Sequence, residues 1–147
     1  MTSEERQGPP PKPMPRPANA EFTQPFWDAT KKHELVIPHC NQCDLFFWHP
    51  QEVCPRCLSS NFTWEKVSGK GRVYGYTTIY QSANPAFADD SPYVYACIQL
   101  DEGARIVGNL VDVDPKDWHS VEKVNTRVEA IFDDVSDDWT FVRWRSV

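Results

Sequence analysis

The spacing Cys40-x2-Cys43, then ten residues, then Cys54-x2-Cys57 constrains this chain more than any other feature in it. Two residues between cysteines let a tight knuckle turn both thiolates toward one point, and N–H groups in the knuckle can bond the sulfurs. Two facing knuckles offer four thiolates to a tetrahedral ion at about 2.3 Å. Pro55 is compatible with the second turn. Zinc fits this donor set best, with iron in a rubredoxin-like site as the competing metal. Two disulfides are disfavoured in a reducing compartment, and a redox C-x-x-C does not need a second pair. Four thiolates close the coordination shell, so no position is left for an activated water and the role is structural. His39 and His49 flank the cysteines but are surplus as ligands. Cys97 stands alone in an apolar stretch and reads as a small buried residue.

The compartment follows from what else the chain carries. There is no apolar h-region near the N-terminus and no apolar run of about 20 residues, so the expectation is a cytoplasmic protein without a membrane span. A net charge of -6 argues against a nucleic-acid partner, since phosphate binding needs a dense basic surface. Aromatic residues reach 13% of 147 residues, enough for a real core in one domain or two small fused modules.

Residues 1–19 carry prolines at 9, 10, 11, 13, 15 and 17, which excludes helix and interior strand. The segment reads as a disordered tail, or else as a stiff arm laid across a partner subunit. Thr23 followed by Gln24, Pro25 and Phe26 reads as an N-cap with proline in the first turn of a helix from about Gln24 to Lys32. Lys31, Lys32 and His33 would form its solvated end. "LVIPHC" and "LFFW" read as short strands around the first cysteine pair. From Phe62 onward the chain turns β-rich: "FTWEKV", "RVYGYTTIYQS", "YVYACIQL", "ARIVGNLV", "RVEAIF" and "TFVRW" are each β-branched or aromatic and bounded by turn formers. "DEGA" at 101–104 reads as a tight hairpin turn with Gly103 at positive φ. "DPKDW" reads as a turn or single helical turn, and "DDVSDD" at 133–138 as a solvated hairpin turn. Such a series of short strands fits a small closed barrel, which removes exposed edges. The expected layout is a tail at 1–19, a helix and zinc ribbon at 20–61, and a barrel at 62–147.

No G-x-S-x-G elbow, phosphate loop or G-x-G-x-x-G occurs, and the four histidines form no acid–base arrangement. No catalytic residue is expected in this chain.

The helix with Phe26 and Trp27, then "LVIPHCNQCDLFFWHP", "VCPRCLSSNFTWEKVSGKGRVYGYTTIY", "PYVYACIQLDEGARIVGNLVDVDP" and "RVEAIFDD", resembles the family known as domain of unknown function 35. The resemblance covers roughly residues 21–141. It implies a mostly β fold, with an N-terminal helix and rubredoxin-like zinc ribbon followed by a five-stranded OB-fold barrel. It implies a structural zinc ion. It also implies an accessory subunit paired with a thiolase-like protein, as a heterotetramer, acting on acyl-CoA thioesters by thiolytic or retro-aldol cleavage in steroid side-chain or aromatic hydrocarbon degradation. Alternative readings are a nucleic-acid-binding OB module and a stand-alone acyl-CoA-binding protein.

On the subunit reading, aromatic residues would meet the partner. The candidates are Phe22, Phe26, Trp27, Phe46, Phe47, Trp48 and Phe87; Trp27 and Phe47 are expected in the core, Phe87 at the interface. Lys70, Arg72 and Arg105 are candidates for the phosphates of CoA, or else solvated cations. Tyr76, Tyr80 and Tyr93 are candidates for an acyl pocket, or else core.

Overall fold

The structure, a computed structural model, describes residues 10–17 and 20–147, with the backbone alone at Ala20. What sequence suggests for residues 1–9, 18 and 19 lies outside these.

Helix α1 (Ala20–Thr30) opens the fold. It starts four residues before the expected Gln24, so Thr23 is inside the helix and is not its N-cap. Pro25 also sits inside. Its missing N–H frees only the carbonyl of Glu21, on an exposed first turn where water can replace the bond. The helix ends in a Schellman turn: His33 has φ 57, its N–H donates to Thr30 O, and the Glu34 N–H donates to Ala29 O. His33 is not a merely solvated end residue. Its ring stacks on Phe132 with centroids 5.4 Å apart and bonds Asp134 at 3.0 Å.

Strands β1 (Val36–Cys40) and β2 (Phe62–Lys66) pair antiparallel and flank the cysteines. "LFFW" is no strand; among its residues only Phe46 makes a bridge, to His39. Strands β3 (Lys70–Ile79), β4 (Tyr93–Leu100), β5 (Arg105–Val111), β6 (Arg127–Asp134) and β7 (Thr140–Ser146) close into a barrel in the order β3-β4-β5-β7-β6. All contacts in it are antiparallel except β5 with β7. This is the five-stranded OB-fold.

Strict alternation explains why these strands close. Val94, Ala96, Ile98 and Leu100 point inward on β4, and Ile106 and Leu110 on β5. Trp144 fills the centre, fully buried. Its indole lies where a Cβ on Gly108 would come within 2.9 Å, so only glycine fits there. Gly103 has φ +101 in the Asp101–Gly103 turn, where the Leu100 and Ala104 backbones meet. That turn also locks the joint with the ribbon. Glu102 accepts the Ser68 N–H at 2.6 Å, and Asp101 receives both arms of Arg127 at 2.7 and 2.8 Å.

The longer excursions contain 3-10 turns at Pro85–Asp90, Pro115–Asp117 and Val121–Lys123. The 133–138 stretch joins β6 to β7, and its first two carboxylates, though partly exposed, are bonded: Asp133 to Arg143 and Asp134 to Thr140. The Asp134 carboxyl is held below its ordinary range by the Thr140 hydroxyl and then by His33. Its contribution to stability is therefore present above about pH 4 and fades as pH falls through the lowered value. Among the described residues no helix is long and apolar enough to cross a membrane.

Candidate metal centre

The four cysteine sulfurs all lie within 4.8 Å of one another. Cys40 and Cys57 are 3.5 Å apart, as are Cys43 and Cys54. A zinc ion with about 2.3 Å bonds needs tetrahedral edges of about 3.8 Å, so the cage fits it with only slight adjustment.

The two knuckles share a pair of equivalent backbone bonds. The N–H of Asp44 donates to Cys40 O and that of Leu58 to Cys54 O; Cys40 N–H donates to Leu45 O and Cys54 N–H to Ser59 O. Asp44 and Leu58, each just after the second cysteine, take the left-handed conformation with φ 58 and 61. In each knuckle two amides reach the first sulfur, and in the second knuckle the Ser59 N–H also reaches Cys57. The N–H of Cys43, outweighing burial, and that of Gln42 pull the Cys40 thiol down to about 6. For Cys54 burial works upward, and the N–H groups of Cys57 and Arg56 reverse it, so that thiol is also lowered. Burial, then the Cys54 sulfur, pushes Cys43 up to about 12. A dication bound by four thiolates displaces whatever protons the thiols still carry.

Leu58 is 74% exposed in a conformation that costs a leucine side chain about 1 kcal/mol or more. Leu58→Gly should therefore raise the melting temperature of the zinc-loaded chain by about 2–4 °C, read by circular dichroism.

Neither neighbouring histidine completes the cage. His39 is stacked on Phe46 at 4.1 Å and bonded to Glu65 at 3.0 Å and Asp44 at 2.7 Å. The Glu65 hydrogen bond, with Asp44 behind it, raises its pKa. This Asp44–His39–Glu65 bracket ties the first knuckle to β2, and sequence reading missed it because Glu65 lies 26 residues away. His49 is exposed beside Trp48.

The other predicted residues are scattered. Tyr76 and Tyr80 come together in an open groove of about 460 Å³ with Trp118 and Val121; Tyr93 does not line it. Tyr76 donates its hydroxyl to Ser120 O and packs edge-on to Trp118. Arg72 and Arg105 lie on the barrel's outer face, in register either side of Gln99, with Arg127 continuing the row beyond Arg72. Arg105 stacks over Tyr74 at 3.6 Å. Lys70 is exposed two residues before Arg72, opposite Glu129 in the β3–β6 register.

Most of the aromatic residues proposed for an interface are engaged internally. Phe22 packs on Phe62 and Trp64, Phe26 on Trp27 and Trp48, Trp27 on Trp139, and Phe47 on Phe62. Phe87 is half-buried under Lys12. The large side chains left exposed are others, including Tyr74, Tyr80, Tyr95 and Val107.

This combination of closed cysteine cage and OB barrel has matches. A family described as "ChsH2, rubredoxin-like zinc ribbon domain" matches residues 27–63, and "ChsH2, C-terminal OB-fold domain" matches residues 64–133. A DUF35 domain-containing scaffold protein of Methanocaldococcus jannaschii is 35% identical over 109 residues, which is 74% of each chain. This chain belongs to the ChsH2 (DUF35) family. The solved structure named Ltp2-ChsH2(DUF35) aldolase superposes with a TM-score of 0.75 at 30% identity, over 89% of this chain and 98% of that one. Further ChsH2-type relatives carry the names of enzyme subunits. A probable enoyl-CoA hydratase alpha subunit of Thermomonospora curvata is 37% identical over 101 residues, 69% of this chain but 31% of that protein. Benzoylsuccinyl-CoA thiolase subunit BbsA of Geobacter metallireducens is 30% identical over 71 residues, 48% of this chain and 44% of that protein. The chain thus spans less than half the length of these two. The ChsH2 ribbon and the geometry of its cysteines together suit zinc.

Proposed function

We propose that this chain is a non-catalytic zinc-containing subunit of a thiolase-fold complex that acts on acyl-CoA thioesters, stabilising its partner and helping to form the acyl-CoA site. The observation that carries this reading is the variety of its relatives. They are named for a hydratase, a thiolase and an aldolase, three different reactions. A module common to three reactions supplies what they share, which is partner docking and thioester handling, and not the bond-breaking step. The chemistry of the chain agrees. His33, His39 and His119 bond carboxylates or a backbone carbonyl, and the clustered thiols are arranged for a metal. Zinc bound there would hold the ribbon together, and the four cysteines leave no open position for a substrate.

On this reading the row Arg72, Gln99, Arg105, with Lys70 beside it, faces the phosphates of CoA, and the Tyr76–Tyr80 groove contributes to the acyl path. Thiolytic or retro-aldol cleavage in steroid side-chain or aromatic degradation, in a cytoplasmic heterotetramer, is the fuller form of the proposal. The test is co-expression with a thiolase-like protein from the same organism. Co-elution as one complex, better solubility than either chain alone, and acyl-CoA turnover only by the complex are expected. Turnover by this chain alone would overturn the reading. Arg72→Glu combined with Arg105→Glu should raise the KM for acyl-CoA several-fold while the complex stays assembled; an unchanged KM would remove this face from the proposed site.

A further inference from the structure

The proline segment is not free of the fold. From Pro10 to Pro17 every residue is either a proline or precedes one, so the backbone is confined to extended conformations before it touches anything. It is held at two points. Near its start, the Lys12 ammonium bonds Asp90 at 2.7 Å and lies 5.7 Å from the centre of the Phe87 ring. Near its end, Pro15 and Pro17 are half-buried, whereas Met14 and Arg16 between and before them are exposed. With Arg16, those prolines border a groove of about 340 Å³ whose other walls are Thr23, Phe26 and Trp27 of α1 and Trp48, His49 and Pro50 of the ribbon.

Prolines lining one groove with indoles, and a flanking cation on an acidic loop, are the elements by which aromatic grooves read pre-extended proline-rich peptides. Such a ligand loses little chain entropy on docking, because its conformation is already fixed. We propose that the Phe26–Trp27–Trp48 groove is a proline-reading site, and that residues 10–17 are its resident ligand, held in cis as a strap from the Pro85–Asp90 turn to the ribbon. The ion pair is half-exposed at both ends, so it orients the strap while the partial burial of Pro15 and Pro17 beside the groove retains it. The proposal does not depend on the subunit role argued above.

The full-length chain tests it. In a triple variant Pro13→Ala/Pro15→Ala/Pro17→Ala the strap should leave the groove, and the indole N–H resonance of Trp48, assigned with Trp48→Phe, should shift. A synthetic peptide PPKPMPRP, the sequence of residues 10–17, should then bind the variant about tenfold or more tightly than it binds the wild-type chain, whose own strap competes at an effective concentration in the millimolar range. A peptide with alanine at every proline should not bind. Asp90→Lys, a surface change away from the rings, should give an intermediate peptide affinity. The proposal fails if the folded triple variant takes up no peptide, or if wild type and variant bind it equally.

Discussion

Cys43→Ser is expected to abolish stoichiometric zinc binding and to unfold the ribbon, with a loss on the order of 10 kcal/mol of metal-derived folding free energy. The size follows from how little else holds residues 40–60. That stretch contains no strand beyond the end of β1, and its core consists of Cys40, Phe47 and Cys54 with Cys43, Leu45, Cys57 and Phe62 packed around them. Without the ion, the three remaining thiols would be left uncoordinated, with Cys40 and Cys54 buried and Cys57 half-buried. The loss should not stop at the ribbon. Phe26, Leu35 and Ile37 share one apolar cluster with barrel residues Val73, Val128 and Trp144, so a melted ribbon uncovers one end of the barrel. Metal content by atomic emission, together with the melting curve before and after a strong chelator, provides the measurement. An unchanged melting temperature in metal-free protein would show that the cage does not hold the fold.

Trp144→Ala is expected to cost about 3–5 kcal/mol, a large part of the 5–15 kcal/mol that holds a typical domain. The ring is fully buried on β7, at the parallel contact with β5 that closes the barrel. Glycine at 108 cannot grow inward to fill the space. Trp144→Phe should be far milder. It keeps most of the packing and also deletes Nε1, which is buried without a hydrogen-bond partner among the described residues. Urea denaturation with zinc in excess separates the two variants. A Trp144→Ala midpoint within about 1 kcal/mol of wild type would mean that the barrel does not depend on this ring.

Gly71 tests the same barrel from the other side. A Cβ there would lie 2.4 Å from the Gln99 carbonyl oxygen, a backbone atom that cannot step aside. Gly71→Ala should therefore loosen the β3–β4 pairing, visible as faster amide exchange along β4.

Much of this architecture is legible in the sequence because it is written in local periodicity. Tyr93–Leu100 alternates small or branched inward residues with outward polar and tyrosine residues, and the strand occupies those positions. The cysteine spacing is likewise a local code, and it gives the metal centre. What could not be read is long-range. His33 meets Asp134 across 101 residues and Lys12 meets Asp90 across 78, and no window of the sequence contains both members of either pair. The helix start was misplaced because proline's preference for the first turn is statistical, while the apolar contacts of Phe22 with Phe62 and Trp64 reward a longer helix. The roles of the aromatic residues are equally non-local. Composition reveals that rings are abundant, but only the folded chain decides which are used up internally and which, like Tyr74 and Tyr95, remain facing out.

Only Val67, Ser68 and Gly69 separate β2 from β3, and each is tied: Val67 N–H to Leu35 O, Ser68 N–H to Glu102, and Gly69 O to the Ala130 N–H. There is no articulation here for a hinge to use. Ribbon and barrel are thereby coupled at the joint, so that a tilt of the cysteine knuckles would pull directly on the start of β3.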